Sequence, residues 1–201
     1  MAKEDFLSCV VKQVELQWPR LNQPYRYNNS TRRTEPCEPT ANHAAWTVSW
    51  NMDADEARDL YKKLLAHFNE CKARNPKIGK MEKVFGHKQD ENGNHQFTAK
   101  RNCVNAAGQG TTAPPVVDAH KQPLADKAIW SGSIGSVAFS AVPVADPDKV
   151  WGISLLLSAV QVITPKYGST AVDEFDEYEA ADDGEKNDDG GFGPVEDEVP
   201  F

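Results

Sequence analysis

No run among the 201 residues approaches the roughly 18 consecutive apolar side chains of a membrane-spanning helix, so no membrane association is expected. The opening Met1-Ala2-Lys3-Glu4-Asp5 carries acids and leads into no long apolar stretch. It does not read as a secretory signal, and the expected location is cytoplasmic. Cysteine is scarce and scattered. Cys9, Cys37, Cys71 and Cys103 lie far apart and no C-x-x-C occurs, so reduced structural thiols are expected rather than a disulfide framework. His43, His67, His87, His95 and His120 fall in different segments, with none of the close ligand spacings of a zinc site. Neither a metal nor a cofactor is expected.

Signatures of catalysis are missing as well. Nothing matches the phosphate loop G-x-x-x-x-G-K-[ST], and Gly132-x-x-Gly135 lacks the dinucleotide-binding spacing and a following helix. No nucleophile elbow occurs. Asp53 and Asp55 read as helix-start residues stabilised by the helix dipole. A magnesium nuclease is disfavoured because no paired-carboxylate constellation is recognisable. The chain is not expected to be an enzyme.

Acids outnumber bases by 30 to 22, a net charge of −8, and the imbalance is confined to one end. Residues 169–201 hold 13 acids and one base, Lys186, a net of −12; the remaining 17 acids and 21 bases give residues 1–168 a net of +4. A mildly basic body of one domain, residues 1–168, therefore carries a strongly acidic tail, residues 169–201. The tail repeats Asp and Glu among Gly184, Gly190, Gly191 and Gly193. Such a segment buries too little apolar surface to offset its ordering entropy and is expected to be disordered.

Within the body, residues 5–18 mix apolar and polar side chains and predict a strand, bent near Val10-Val11 and closed by Trp18-Pro19. Pro19, Pro24, Pro36 and Pro39 predict a long loop over residues 19–40. Residues 45–52 alternate strictly, with Trp46, Val48 and Trp50 on one side, and predict a half-buried strand. Asp53 or Asp55 then caps a helix running to about Arg74, with Leu60, Leu64 and Phe68 on one face and Tyr61 and Leu65 beside them. Pro76 ends it. Residues 81–87 and 95–104 predict strands flanking an Asn92-Gly93 hairpin turn. A loop over residues 108–115, a short strand at 115–118 and two long strands at 129–144 and 149–164 complete the pattern. Many short strands, one helix and Gly/Pro turns predict a mainly β fold, a small antiparallel barrel with one inserted α-helix.

Cations that track phosphates and flat rings that stack on bases are what a sequence-blind binder of single strands needs. Tyr25, Arg26 and Tyr27, with Arg32 and Arg33, offer both on one segment. Lys80, Lys83, Phe85 and Lys88, then Phe97, Lys100 and Arg101, offer both again around the hairpin. Trp46, Trp50 and Trp151 read as core. Trp130 opens the bulk-poor Ser131-Gly132-Ser133 and reads as an exposed ring.

The chain ends Glu196-Asp197-Glu198-Val199-Pro200-Phe201. Three acids, a β-branched residue, a proline and a terminal phenylalanine form a compact ligand for an apolar pocket rimmed by Arg or Lys, with Pro200 lowering the cost of ordering. These six residues resemble the C-terminal tip of bacterial single-stranded DNA-binding proteins, where three acids precede Ile-Pro-Phe. The body resembles phage single-stranded DNA-binding proteins of the T-odd type over most of residues 1–168. The likeness runs from the strand Trp46 to Met52 and its helix, through the Asn92-Gly93 hairpin into Phe97-Thr98-Ala99-Lys100-Arg101. It continues through Val116-Val117-Asp118 with its turn at Lys121 to two long strands before a glycine and an acidic tail. T-odd tails usually end in acids and then Phe, so the Val-Pro step departs from that pattern.

The resemblance implies an OB-fold domain, a five-stranded antiparallel barrel, that coats exposed DNA strands during phage replication, recombination and repair in the host cytoplasm. It further implies an acidic tail that competes with DNA and recruits polymerase, helicase or nuclease through its tip. The competing reading is an acidic-tailed adaptor or DNA mimic that binds proteins and no DNA. An OB protein specific for RNA also fits the same residues.

Overall fold

The computed structural model describes residues 5–91, 93–105, 107–124 and 128–168. The chain divides into two units, Met1–Gly168 and Ser169–Phe201. The second unit, with the disorder expected of it, and Asn92 of the expected hairpin turn lie outside the described residues.

The elements in order are β1 (Leu7–Asn28), β2 (Arg33–Pro36), β3 (Ala45–Met52), α1 (Ala54–Arg74), β4 (Lys83–Phe85), β5 (Lys88–Gln89), β6 (His95–Asn102), β7 (Val116–Val117), β8 (Ile134–Ala145) and β9 (Trp151–Thr164). Five of them close a barrel in the order β1-β3-β6-β9-β8 and back to β1. Four of these joints are antiparallel. The fifth, β6 to β9, is parallel, with Lys100 opposite Leu156. Alternating directions cannot close around an odd number of strands, so the expected antiparallel barrel has one parallel seam. The edge of β9 also takes β4 at Gly152, Ile153 and Ser154 and β7 at Val160 and Gln161.

The largest departure from expectation is β1. It does not end at Trp18 but runs 22 residues, pairing in turn with β8, β3 and β2. Its register shifts between Val11 and Val14 and again between Gln17 and Arg20, and Gln13 and Trp18 adopt positive φ (54° and 49°) at these bulges. Pro19 sits inside the second bulge. A proline there withdraws no ladder hydrogen bond, and the bulge steepens the bend that lets one strand serve two sides of a barrel. Pro24 closes the next irregularity, its carbonyl accepting from the Cys37 N–H at 3.0 Å.

β3 matches its expected bounds, and its alternation buries Trp46, Val48 and Trp50. Trp50 lies at the barrel centre between Phe97 and Phe139, with ring centroids 6.0 and 5.5 Å away. Truncating such a ring to alanine costs about 3–5 kcal/mol. Trp46 packs in a smaller cluster with Ala44 and Cys103, and Trp151 is half-buried against the main core. The Asp53 carboxylate accepts from the N–H groups of Asp55 and Glu56 at 3.0 and 2.8 Å, a cap worth about 1 kcal/mol. Helix α1 then buries Ala57, Leu60, Leu64, Phe68 and Cys71 along one stripe, while Tyr61 and Leu65 stay at its margin. Among the described residues no helix is long and apolar enough to cross a membrane.

Candidate nucleic-acid interface

Cross-strand pairs place side chains on a common face. Leu16, Trp50 and Phe97 form one row of the β1-β3-β6 sheet, and all are buried inside the barrel. The alternate rows therefore face outward. They read Gln17–Ser49–Thr98, Arg20–Thr47–Lys100 and Tyr25–Ala45–Asn102, with Ser49 and Ala45 themselves buried. The Ser49 and Thr98 hydroxyls share a hydrogen bond at 2.8 Å, as neighbours on one face should. Lys100 extends its row to Leu156 across the parallel seam, and Phe85 stands opposite Ser154 two residues earlier on the same outer face of β9.

At the β1 margin the face deepens into an open cleft of about 500 Å³, lined by Trp18, Arg20, Gln23 and Tyr25 on one side and Ile129, Trp130 and Ser131 on the other. Trp18 is 64% exposed and Trp130 55%, whereas Trp46 and Trp50 are buried and Trp151 is half-buried. The Arg20 guanidinium lies 5.1 Å from the Tyr25 ring centroid, a cation–π arrangement that leaves both groups on the cleft wall. A Cβ on Gly132 would stand 2.9 Å from the Lys166 Nζ, so that ammonium lies over the glycine next to the cleft. Tyr27 is 59% exposed two positions beyond Tyr25, on the same side of the strand.

The residues expected from the sequence distribute unevenly. Tyr25, Tyr27, Phe85, Lys83, Lys100 and Trp130 lie on the outer face or its margins. Arg26 and Arg33 are on β1 and β2 but point to the opposite side from Tyr25 and Tyr27, while Arg32 is in the turn between them. Lys83 is partly committed: its ammonium bonds Asp146 at 2.9 Å and lies 4.7 Å from the Phe85 ring centroid. That lysine, then the Val150 N–H, holds the Asp146 carboxyl below the usual carboxylate range. Lys80 is exposed in the segment leading to β4.

Besides Arg26 and Arg33, which face away, three more expected residues do not fit a strand-binding surface. Phe97 is 1% exposed, stacked between Trp50 and His87, and has no ring face left for a base. Arg101 follows Lys100 on a strand and so points the other way; its Nε donates to the Thr112 carbonyl at 2.7 Å and ties down the loop after β6. Lys88 lies at the far end of the face, in a depression it shares with Lys12 and four acids, Glu15, Asp53, Glu56 and Asp90. A phosphate there would meet more negative than positive charge. Trp18, Arg20 and Lys166 are the functional candidates that sequence reasoning missed. A tryptophan directly before a proline, at the expected end of a strand, was the available signal for the first. Among the described residues no three His, Cys, Asp or Glu side chains gather as a metal site.

The closed five-stranded barrel, with a bulged first strand and an outer face flanked by long loops, is an OB fold. No protein-family model and no curated protein sequence matches the chain. Solved structures do. The chain is similar to gp2.5, the single-stranded DNA-binding protein encoded by bacteriophage T7, with a TM-score of 0.52 and 16% identity over 88% of this chain and 100% of that one. It is similar also to the single-stranded DNA-binding protein of bacteriophage Enc34. Its C-terminal truncation gives a TM-score of 0.55 at 15% identity over 82% of this chain and 92% of that one. Its complex with single-stranded DNA gives 0.54 at 14% identity over 85% and 94%.

Proposed function

We propose that the chain binds single-stranded DNA with little regard to sequence, acting in phage DNA replication, recombination and repair in the host cytoplasm. One observation carries this reading. The outer β1-β3-β6 face and its cleft bring the exposed rings Trp18, Tyr27 and Trp130 and the half-buried Tyr25 ring together with the cations Arg20 and Lys100. Rings accept any base by stacking, and cations follow the phosphates. The similar fold of two phage proteins named for single-stranded DNA binding, one of them solved with that ligand, supports it.

The acidic tail is its regulator in this reading. Residues 169–201 follow directly on Gly168, whose backbone packs beside the Trp130 ring. Their net −12 competes with phosphate for the same cations, and DNA frees the tail. The tip, Glu196, Asp197, Glu198, Val199, Pro200 and Phe201, then recruits replication and repair proteins such as a polymerase, helicase or nuclease.

Titration of oligo-dT and mixed-sequence single strands over a range of salt, with and without residues 169–201, tests the reading. Both strands should bind comparably, with log K falling by about 0.7 per phosphate contact for each unit of log salt. Truncation should tighten binding most at low salt and steepen the slope, since displaced acids no longer replace released counterions. A body that ignores oligo-dT at low salt would favour the protein-interaction reading. Deleting Phe201 alone should leave DNA titrations unchanged but abolish partner capture by the tip.

A further inference from the structure

Tyr25 is the last residue of β1 with a partner on β3, namely Ala45. Beyond it, Arg26, Tyr27 and Asn28 pair only with Glu35, Thr34 and Arg33 of β2. These residues form a two-stranded ribbon that has left the barrel at the edge of the cleft. Its two faces differ in chemistry. Tyr27 and Thr34 continue the side of Tyr25, whereas Arg26, Asn28, Arg33 and Glu35 share the other side. The second side carries no ring.

The carboxylate on that side is bonded by neutral donors and leaves the arginines out of ion pairs. This one acid, Glu35, accepts from the Asn28 amide at 2.9 Å and from the Thr31 hydroxyl. These neutral donors, ahead of the nearby Arg26 and Arg33, hold its carboxyl below the usual range. Among the described residues Arg26, Arg32 and Arg33 take part in no ion pair. The turn that presents Arg32 is set by the Asn28 side chain, which accepts from the Ser30 N–H at 3.0 Å.

A single strand needs rings, because its bases are unstacked. A duplex offers no free base face, and its contacts are made by cations and hydrogen-bond donors on phosphates and groove edges. The major groove, about 12 Å wide, admits a two-stranded ribbon. We propose that the β1-β2 ribbon is a duplex-gripping arm, its ring-free arginine side engaging double-stranded DNA where a strand lying on the barrel face re-enters a duplex. The protein then prefers single-strand–duplex junctions to isolated single strands. This rests on the single-strand reading of the barrel face.

The full-length protein is titrated by fluorescence anisotropy against oligo-dT, a blunt duplex, and that duplex carrying an oligo-dT overhang, each over a range of salt. The overhang substrate should bind more tightly than oligo-dT, with a log–log salt slope steeper by about 0.9 for each duplex phosphate the arm neutralises. Arg26→Gln, Arg32→Gln and Arg33→Gln combined should remove that gain and leave oligo-dT binding unchanged, which also reports an intact barrel. Equal binding of the overhang duplex and oligo-dT by the wild type, or a gain that survives the triple substitution, overturns the arm. So does a parallel loss on oligo-dT, which would place these arginines in the single-strand path. A wild-type protein that binds no oligo-dT would instead overturn the reading of the barrel face, and the arm with it.

Discussion

The main-chain N–H of Trp18 donates to the Ser131 hydroxyl at 2.8 Å, joining positions 113 residues apart. That bond pins the second β1 bulge to the loop before β8 and sets two exposed tryptophans on one cleft. Trp18→Ala and Trp130→Ala should each weaken oligo-dT binding by about 1–3 kcal/mol, the usual worth of a base stacked on a ring. The salt slope should stay put, since no charge is lost. Fluorescence and anisotropy titrations over a salt series measure both quantities. Intact affinity in both variants would remove the cleft from the DNA path.

Neighbouring basic residues on β6 should separate cleanly. Lys100→Ala should lower the salt slope by about 0.7 if its ammonium meets one phosphate. Arg101→Ala should leave the slope alone, because its guanidinium is turned to Thr112. Its loss should instead destabilise the fold by about 1 kcal/mol, discounted for a partly solvated bond. Paired salt titrations and urea melts distinguish the two outcomes.

That contrast shows what was legible in the sequence. The strand at 45–52 and the helix after it were readable because alternation, the Asp53 cap and Pro76 are local signals. Period-two alternation also implies that Lys100 and Arg101 diverge, yet reading them as one basic pair set that aside. Phe97 belonged with Ala99 on the inward side of the same strand, and its hairpin position obscured this. The continuation of β1 past Pro19 was hidden because bulges erase alternation and a proline at a bulge costs the ladder nothing. Nothing local links Trp18 to Ser131 or Arg20 to Lys100. Barrel closure makes those pairings, so the cleft became visible only in three dimensions.

Acid should weaken the fold through His87. Its ring is stacked between His95 and Phe97, with centroids 5.2 and 4.6 Å away, and shares a 2.9 Å hydrogen bond with the His95 ring. Burial first, then the neighbouring His95, lowers its pKa below the ordinary imidazole value of about 6.5. The unfolded chain therefore binds more protons than the folded one between the two values. Stability is complete above the unfolded value and is lost as pH falls through it toward the folded one. Urea melts from neutral pH downward should show midpoints falling on acidification. His87→Phe should flatten that dependence, and an unchanged profile would refute the assignment.

The boundary glycine allows a test of Trp130 that does not alter the ring itself. A Cβ built on Gly168 would lie 2.1 Å from Cζ2 and 2.2 Å from Cε2 of the Trp130 indole, closer than any real contact. Gly168→Ala must therefore displace the ring. The ring is more than half exposed, so it can swing into solvent at little cost, and thermal stability should change by less than about 0.5 kcal/mol, as for ordinary surface substitutions. DNA binding should suffer because the stacking surface has moved. If the loss acts through Trp130, it should approach that of Trp130→Ala. Adding Gly168→Ala to Trp130→Ala should then do nothing further, since residues that share one interaction are not additive. Anisotropy titrations of the two single variants and the double variant complete the cycle. Additive losses would mean that Gly168 acts by another route, and no loss in Gly168→Ala would mean that the indole's position is not what the strand reads.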